Sequence, residues 1–238
     1  MKLSLFSRAF TYYTASCCIA GLAYAEAITL QDDFDRKGKE MAGLLHGQPV
    51  GSSKTLWEAT SNVIISPGAG IKVDDQGAFV GRVALPAKLS EVTVEVDIHP
   101  APPTNKTAGS PPWIAAGIGN GPLSNPNFGG LFLLVYPNGI FSLLFNPSTE
   151  DERSSKVITL KSGRIQSWNP DAMNRLKIVY NQETGSVSAY INNDEEMVAA
   201  LSLKTKGLSL TCGYAGFSGF GQSSEARSVG NFSLKTTE

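Results

Sequence analysis

The chain has 238 residues, of which 42% are hydrophobic and 17% charged, and its formal net charge is −1. The basic residues are scattered, which argues against the positive patch of a nucleic-acid-binding surface, so we expect no nucleic-acid partner. The length suits one large β-sandwich or barrel, a class that reaches this size without dividing into smaller domains.

The first 25 residues have the pattern of an export signal. Two basic residues precede an uncharged stretch, residues 9–25, which ends in the small-x-small pattern Ala23-Tyr24-Ala25. This stretch is too short and too polar to span a bilayer, so we expect no membrane span once the signal is removed. The pattern predicts residues 1–25 as a signal peptide, 26–238 as a single mature domain, and a periplasmic or extracellular location.

Two alternatives to a cleaved signal are a membrane anchor, which the polarity of the stretch disfavours, and a lipoprotein signal at Cys17. Thr14 disfavours the second, because it stands where a lipoprotein signal has an aliphatic residue. Loss of the signal leaves Cys212 as the one cysteine of the mature chain, which excludes an internal disulfide.

The remaining sequence alternates short apolar runs with clusters of Gly, Pro, Asn and Ser, which is typical of an antiparallel sandwich. In the first clear strand Val92, Val94 and Val96 face one side, while Glu95 and Asp97 face the other, so one face is buried and one is wet. The predicted strands are Glu91–His99, Trp113–Gly119, Gly130–Tyr136, Ile140–Phe145, Lys156–Leu160, Arg175–Tyr180, Ser186–Ile191, Met197–Leu203, Leu208–Tyr214 and Ser228–Lys235.

Turn residues predict antiparallel hairpins between consecutive strands. Pro137-Asn138-Gly139 contains Asn-Gly, which favours a type I′ turn with positive φ at both central positions. Residues 182–185 form the next turn, with Gly185 at a left-handed position. The long loops 100–112 and 119–128 are rich in Pro, Gly and Asn, and we expect them at the rim of the sandwich.

Both ends of the mature chain have a familiar pattern. The segment Asp32-Asp33-Phe34-Asp35-Arg36, followed by Gly47 and Trp57, resembles the opening of bacterial concanavalin A-like and laminin-G-like domains, and residues 229–234 resemble their last strand, with Gly230 in place of the usual Asp. The resemblance implies an all-β jelly roll of two antiparallel sheets, with the first and last strands adjacent and Trp57 buried. It does not imply an activity, because this fold serves lectins, hydrolases and adhesive modules alike.

One strand suggests an enzyme. Glu95-Val96-Asp97-Ile98-His99 resembles the Glu-x-Asp-x-x-Glu motif of laminarinase-like glycoside hydrolases of this fold. His99 and Pro100 stand where the second catalytic Glu is needed, so the carboxylate pair that such chemistry requires is incomplete. Glu95 and Asp97 are therefore weak catalytic candidates, and the ordinary solvent-facing side of a strand is the favoured interpretation of both residues.

Sugar binding needs exposed aromatic rings beside amide or carboxylate groups. The candidates are Trp113 after the first long loop, Trp168 in the polar segment Gln166–Pro170, and Tyr136 beside Asn138. Core packing is the favoured interpretation for Trp113, because it opens an apolar strand. For Trp168 its polar neighbours favour an exposed position.

We expect neither a metal nor a cofactor. Asp32, Asp33 and Asp35 form an oxygen-rich cluster, but a hard cation needs six to eight oxygens, more than one short segment supplies. No Cys/His spacing of a zinc site is present, and Cys212 lies in an apolar run as a small hydrophobe would.

Three functions remain open. The first is an exported carbohydrate-binding or adhesive module without catalysis, whose partner is a polysaccharide or a cell-surface glycan. The second is a glycoside hydrolase or lyase acting on a polysaccharide. The third is a structural envelope protein with no small ligand.

Overall fold

The computed structural model describes residues 27–36, 43–66, 70–73, 77–100, 111–119, 129–147, 156–192, 197–221 and 228–237. These residues form sixteen strands and one 3₁₀ turn, Lys204–Lys206. The predicted signal peptide 1–25 lies outside them, as do residues 101–110 and 120–128 of the two long loops. No helix in the described ranges is long and apolar enough to cross a membrane.

The strands are β1 Thr29–Asp32, β2 Gly43–Leu44, β3 Glu58–Ala59, β4 Val63–Ser66, β5 Gly70–Val73, β6 Ala78–Ala84, β7 Glu91–Ile98, β8 Trp113–Gly119, β9 Gly130–Val135, β10 Ile140–Asn146, β11 Ile158–Arg164, β12 Asn174–Asn181, β13 Ser186–Ile191, β14 Met197–Ser202, β15 Tyr214–Phe220 and β16 Val229–Thr237.

The strands form two antiparallel sheets. The nine-stranded sheet has the order β14-β13-β12-β7-β16-β5-β4-β2, with β1 also paired to β16. The seven-stranded sheet has the order β11-β10-β9-β8-β15-β6-β3. The pairing of β1 with β16 places Asp32 opposite Phe232. This confirms the prediction that the first and last strands lie side by side.

The core between the sheets follows the alternation in the sequence. Val92, Val94, Val96 and Ile98 are fully buried, as the pattern of β7 predicts. An aromatic cluster around Trp57 fills one region of the core. Trp57 is 1% exposed, which confirms that it is the buried tryptophan. Its ring centroid lies 5.6 Å from that of Phe34, 5.5 Å from Phe217 and 4.8 Å from Phe232.

The hairpin at residues 137–139 is present, but its predicted turn type is wrong. Only Gly139 has a positive φ, 76°, and Asn138 does not. The Gly139 N–H donates to the Tyr136 carbonyl, and the Tyr136 N–H donates to the Ile140 carbonyl. The turn is therefore a three-residue loop with a left-handed glycine at its end, and not a two-residue type I′ turn. The next hairpin is as predicted, with Gly185 at φ 70°.

One predicted strand is wrong. Residues 208–213 have no regular structure, and the strand lies instead at Tyr214–Phe220, a segment with two internal glycines. Glycine there is required by close approach, because a Cβ at Gly216 would lie 2.1 Å from the Gly81 carbonyl oxygen. The strands predicted from the sequence do not include β2 to β6. Of these, β2, β4 and β5 extend the nine-stranded sheet, and β3 and β6 extend the seven-stranded sheet.

Candidate functional site

The two sheets differ in their outer faces, which point away from the shared core. β8 and β9 are buried at every residue, so both faces of the seven-stranded sheet are shielded at its centre. β7 and β12 alternate between buried and half-buried or exposed residues, so the nine-stranded sheet has one wet face. We call the apolar outer face of the seven-stranded sheet the aromatic face. It consists of Val80, Trp113, Ala115, Phe132 and Leu134, with Tyr136, Leu144, Tyr214 and Phe220 packed against them.

Aromatic side chains gather at one end of the aromatic face. Trp113 lies opposite Phe220 in the β8–β15 register. The β8–β9 register pairs Ile114 with Val135, which brings Tyr136 opposite Trp113 on the other side. Trp113 itself is only 8% exposed, whereas Tyr136 and Phe220 are half-buried. Of these three rings, Tyr136 and Phe220 therefore offer the larger surface to a ligand.

Trp168 lies across the 137–139 turn from Tyr136. Its indole Nε1–H donates to the Pro137 carbonyl at 3.0 Å, and its ring covers Gly139, since a Cβ there would be 2.8 Å from the indole Cγ. The ring is half-buried and packs against the main core. Trp168 is thus partly a packing residue, and only its outer surface remains available to a ligand.

The exposed groups beside Trp168 are polar. Asn138 is exposed, and its Oδ1 accepts from the Ile140 N–H at 3.1 Å. The exposed Arg164 donates through Nη1 to the Asn138 carbonyl at 3.0 Å. We call Tyr136, Asn138, Arg164 and Trp168 the aromatic rim. Three of these four residues are sequence candidates, which the fold brings together from two distant segments.

A buried asparagine fixes the loop that carries Trp168. Asn174 is 1% exposed and donates through Nδ2 to the carbonyls of Asn169, at 2.7 Å, and Ala172, at 2.9 Å. Asn192 donates through its own Nδ2 to the Asn174 Oδ1 and to the Ser167 carbonyl, both at 2.9 Å. Side-chain hydrogen bonds therefore tie the loop to the first residue of β12 and to the residue that follows β13.

The sequence did not predict a further group of interacting side chains on the seven-stranded sheet. Arg82 on β6 donates to Glu58 Oε2 from Nη2 at 2.9 Å and from Nε at 3.1 Å. Its guanidinium carbon lies 3.7 Å from the ring centroid of Tyr214 on β15, a close cation–π contact. The signal in the sequence was a single charged residue inside the otherwise apolar strand β6.

Glu95 and Asp97 lie on the other sheet, on its wet face. Arg175 donates through Nε to Asp97 Oδ1 at 2.9 Å, and Asn231 donates through Nδ2 to Asp97 Oδ2 at 2.6 Å. Lys177 Nζ lies 3.5 Å from Glu95 Oε1. Each carboxylate is therefore held by a cation, as expected for ion pairs across a sheet rather than for an acid and a nucleophile.

These two carboxylates border an open cleft of about 310 Å³. The Nε2 of His99, which replaces part of the hydrolase motif, lies 2.9 Å from the Pro170 carbonyl oxygen and does not line the cleft. We call this site the polar cleft. Its lining comprises Gln31, Asp32, Asp33, Glu95, Asp97, Arg175, Asn231, Phe232, Ser233 and Lys235.

Of the three clustered aspartates, Asp32 at the end of β1 has a structural role. Asp32 accepts hydrogen bonds from both terminal nitrogens of Arg36 at 2.7 Å, from Trp57 Nε1 at 2.8 Å, and from the N–H groups of Phe34 and Gly51. Burial alone would raise the pKa of Asp32, but the hydrogen bonds from Arg36, Trp57, Gly51 and Phe34 outweigh it and lower the pKa. Both oxygens are therefore occupied by protein donors.

No group of three or more His, Cys, Asp or Glu residues in the described ranges is arranged to hold a metal ion. Cys212 is free and 6% exposed, as its apolar run predicts. Burial raises the pKa of its thiol to about 12, which makes it a poor nucleophile.

No protein-family model and no curated protein matches the chain. Solved structures do match it. The Emp46p carbohydrate recognition domain in its metal-free form has a TM-score of 0.53 at 13% identity, over 84% of this chain and 97% of that one. The exoplasmic/lumenal domain of VIP36 gives 0.51 at 18% identity in its metal-free form, over 84% and 93%. Its Ca²⁺- and mannose-bound form gives 0.50 at 18%, over 82% and 89%. Likeness at this level concerns the fold, and the chain has the two-sheet concanavalin A-like jelly roll that its sequence predicts.

Proposed function

We propose that this protein is a carbohydrate-binding domain that acts outside the cytoplasm and binds its glycan at the aromatic rim. The observation that carries the proposal is that two half-buried rings, Tyr136 and Trp168, flank the 137–139 turn, where Asn138 and Arg164 are exposed. Aromatic faces stack on sugar rings, while amide and guanidinium groups bond hydroxyls, so this combination suits a saccharide.

The rigidity of the rim supports the proposal. Asn174 and Asn192 hold the loop of Trp168, and the indole N–H is already bound to the Pro137 carbonyl. A site that is ordered before binding loses little conformational entropy when a ligand arrives. The fold gives independent support, since the matching domains are a carbohydrate recognition domain and a domain solved with mannose.

The hydrolase alternative has less support. Glu95 and Asp97 each contact a cation, and the position that completes the motif is occupied by His99 and Pro100. A retaining mechanism needs two carboxyl groups about 5 Å apart that act as nucleophile and acid. Two carboxylates already engaged in ion pairs with neighbouring strands do not form such a pair.

A glycan array on the full chain, followed by calorimetry with the glycans that bind, tests the proposal. Tyr136→Ala should weaken binding by roughly 1 to 3 kcal/mol, the effect of losing an aromatic contact at the centre of an interface. The matched control is Tyr190→Ala, which removes a half-buried tyrosine from the outer face of the other sheet. Equal losses in both variants, or no glycan bound on the array, would contradict the proposal. An empty array would favour the structural envelope protein.

A further inference from the structure

The wet face of the nine-stranded sheet carries an ordered polar row. The registers of β13, β12, β7, β16 and β1 align Tyr190, Lys177, Glu95, Ser233 and Gln31 across five neighbouring strands. Strands in a sheet lie about 4.8 Å apart, so the row extends for roughly 19 Å. The polar cleft lies at the β7, β16 and β1 end of this row.

One more polar group of β16 faces the cleft. Phe232 lies opposite Val96, and the same register places Asn231 beside Asp97, on the face of β16 that carries Ser233. Asn231 donates to Asp97 Oδ2 at 2.6 Å and lines the cleft.

The charges around the cleft are balanced. Asp97 is paired with Arg175, Glu95 with Lys177 and Asp32 with Arg36, while Asp33 and Lys235 contribute one charge of each sign. A cation or an anion would therefore meet a like charge close by, and neither is favoured. A neutral ligand that both donates and accepts hydrogen bonds meets no such penalty.

The cleft also offers hydrogen-bonding groups that are not engaged elsewhere. Within the described part of the chain, the Gln31 amide, the Ser233 hydroxyl and the Lys235 ammonium have no side-chain partner. Together with the carboxylates of Glu95 and Asp97 they provide donors and acceptors on three adjacent strands. The volume of 310 Å³ is at the lower end of the range of about 300–1,000 Å³ for ligand pockets, which suits one small ligand.

We propose that the polar cleft binds a neutral saccharide unit, as a second site on the opposite sheet from the aromatic rim. Hydroxyl groups of a sugar donate to the carboxylates of Glu95 and Asp97 and accept from Gln31, Ser233 and Lys235. The domain then holds two glycan segments, one on each sheet. The inference rests on the proposed function for the class of ligand, but it uses none of the rim residues.

Nuclear magnetic resonance separates the two sites. The ¹⁵N-labelled full chain is titrated with methyl α-mannoside, methyl β-glucoside and methyl α-galactoside, and the side-chain amide signals of Gln31 and Asn231 are followed. The signals are assigned from Gln31→Ala and Asn231→Ala spectra. We expect saturable shifts of both amides with at least one glycoside. The indole N–H of Trp168 and the amide of Asn138 report on the rim in the same spectra.

The outcomes are distinct. Shifts confined to Trp168 and Asn138 would overturn the polar cleft and leave the proposed function intact. An absence of saturable shifts at Gln31 and Asn231 with all three glycosides would also overturn binding at the polar cleft. The glycan array would then be the remaining test of glycan binding at the aromatic rim.

A pair of variants tests the contact directly. Ser233→Ala removes one hydrogen bond to the ligand and should weaken binding at the cleft by about threefold to tenfold. The matched control is Ser188→Ala. Ser188 lies on β13, on the same solvent-facing side of the nine-stranded sheet as Ser233 but outside the cleft, so this variant should leave the affinity unchanged. A loss of affinity that is equal in the two variants, or absent from both, would overturn the proposal.

Discussion

Replacement of Asp32 by asparagine should be the most destabilising polar change in the described part of the molecule. Asp32 has a fully buried side chain, and the Arg36 side chain that it pairs with is 7% exposed. The substitution Asp32→Asn would leave the Arg36 guanidinium buried without a counter-charge and would present an amide N–H₂ group to the surrounding donors. Removal of one partner of a buried pair typically costs about 3–5 kcal/mol.

That cost is large compared with the total stability, which is about 5–15 kcal/mol for a domain. One kcal/mol shifts the Tm of a domain of this size by about 2–4 °C, so Asp32→Asn should lower the Tm by roughly 6–20 °C. Circular dichroism during heating, and urea titration followed by tryptophan fluorescence, measure the change. Trp57 donates to Asp32 and reports on the site itself.

The matched control is Asp97→Asn, the same substitution in an ion pair whose arginine is 53% exposed. Ion pairs of that kind contribute about 0–1 kcal/mol. A loss in Asp32→Asn no greater than in Asp97→Asn would refute the reasoning. The double variant Asp32→Asn with Arg36→Met should recover part of the loss, because it removes the unpaired charge.

The pH dependence follows from the same contacts. The pKa of Asp32 is lower in the folded state than in the unfolded chain, where it is about 3.9. The carboxylate therefore stabilises the fold fully above that pH, and its contribution is lost as the pH falls through the folded pKa. The difference in unfolding free energy between the wild type and Asp32→Asn should accordingly narrow in acid.

Four other outcomes can be measured. The Cys212 thiol, with a pKa of about 12, should not react with a thiol reagent at pH 8 until denaturant exposes it; rapid reaction of the folded protein would contradict its burial. Gly216→Ala should cost about 1–3 kcal/mol of unfolding free energy, because its Cβ would lie 2.1 Å from the Gly81 carbonyl; an unchanged urea midpoint would show that β15 shifts freely. Trp168→Ala should lower the Tm as well as glycan affinity, because the ring packs on Gly139 and the core, whereas Trp168→Phe should retain more of both; a Tm unaffected by the alanine variant would disprove the packing role. We also propose export with cleavage before Glu26, which mass spectrometry of exported material would detect as a mature chain lacking residues 1–25.

Local sequence patterns predicted the buried face of one strand and the pairing of the two terminal strands. The alternation of Val92, Val94 and Val96 predicts the buried face of β7, and the ordered resemblance at the two ends predicts that β1 lies beside β16. The type of the 137–139 turn was not predictable from Asn-Gly alone. Pro137 before the pair favours the three-residue loop, because its fixed φ of about −65° suits the first corner of a type I turn.

Contacts between distant strands were the part that could not be predicted. β15 was missed because glycine has low strand propensity, and only the packing of Gly216 against the Gly81 carbonyl explains its place in the sheet. The Glu58–Arg82–Tyr214 constellation joins three strands whose neighbour relations depend on the whole topology. A single sequence contains the residues but not their registers.

The difference between the outer faces of the two sheets, however, follows from the sequences of their central strands. β8 and β9 are continuous apolar runs, the pattern of strands buried on both faces, while β7 and β12 alternate and leave one face wet. The two proposals accordingly assign stacking to Tyr136, at the margin of the seven-stranded sheet, and hydrogen bonding to the open face of the nine-stranded sheet. Tyr136 lies on the outer face of the seven-stranded sheet, and Gln31 and Ser233 lie on the outer face of the other sheet, so one sugar ring cannot contact all three. The separation is the physical reason to expect two glycan segments per domain rather than one extended site.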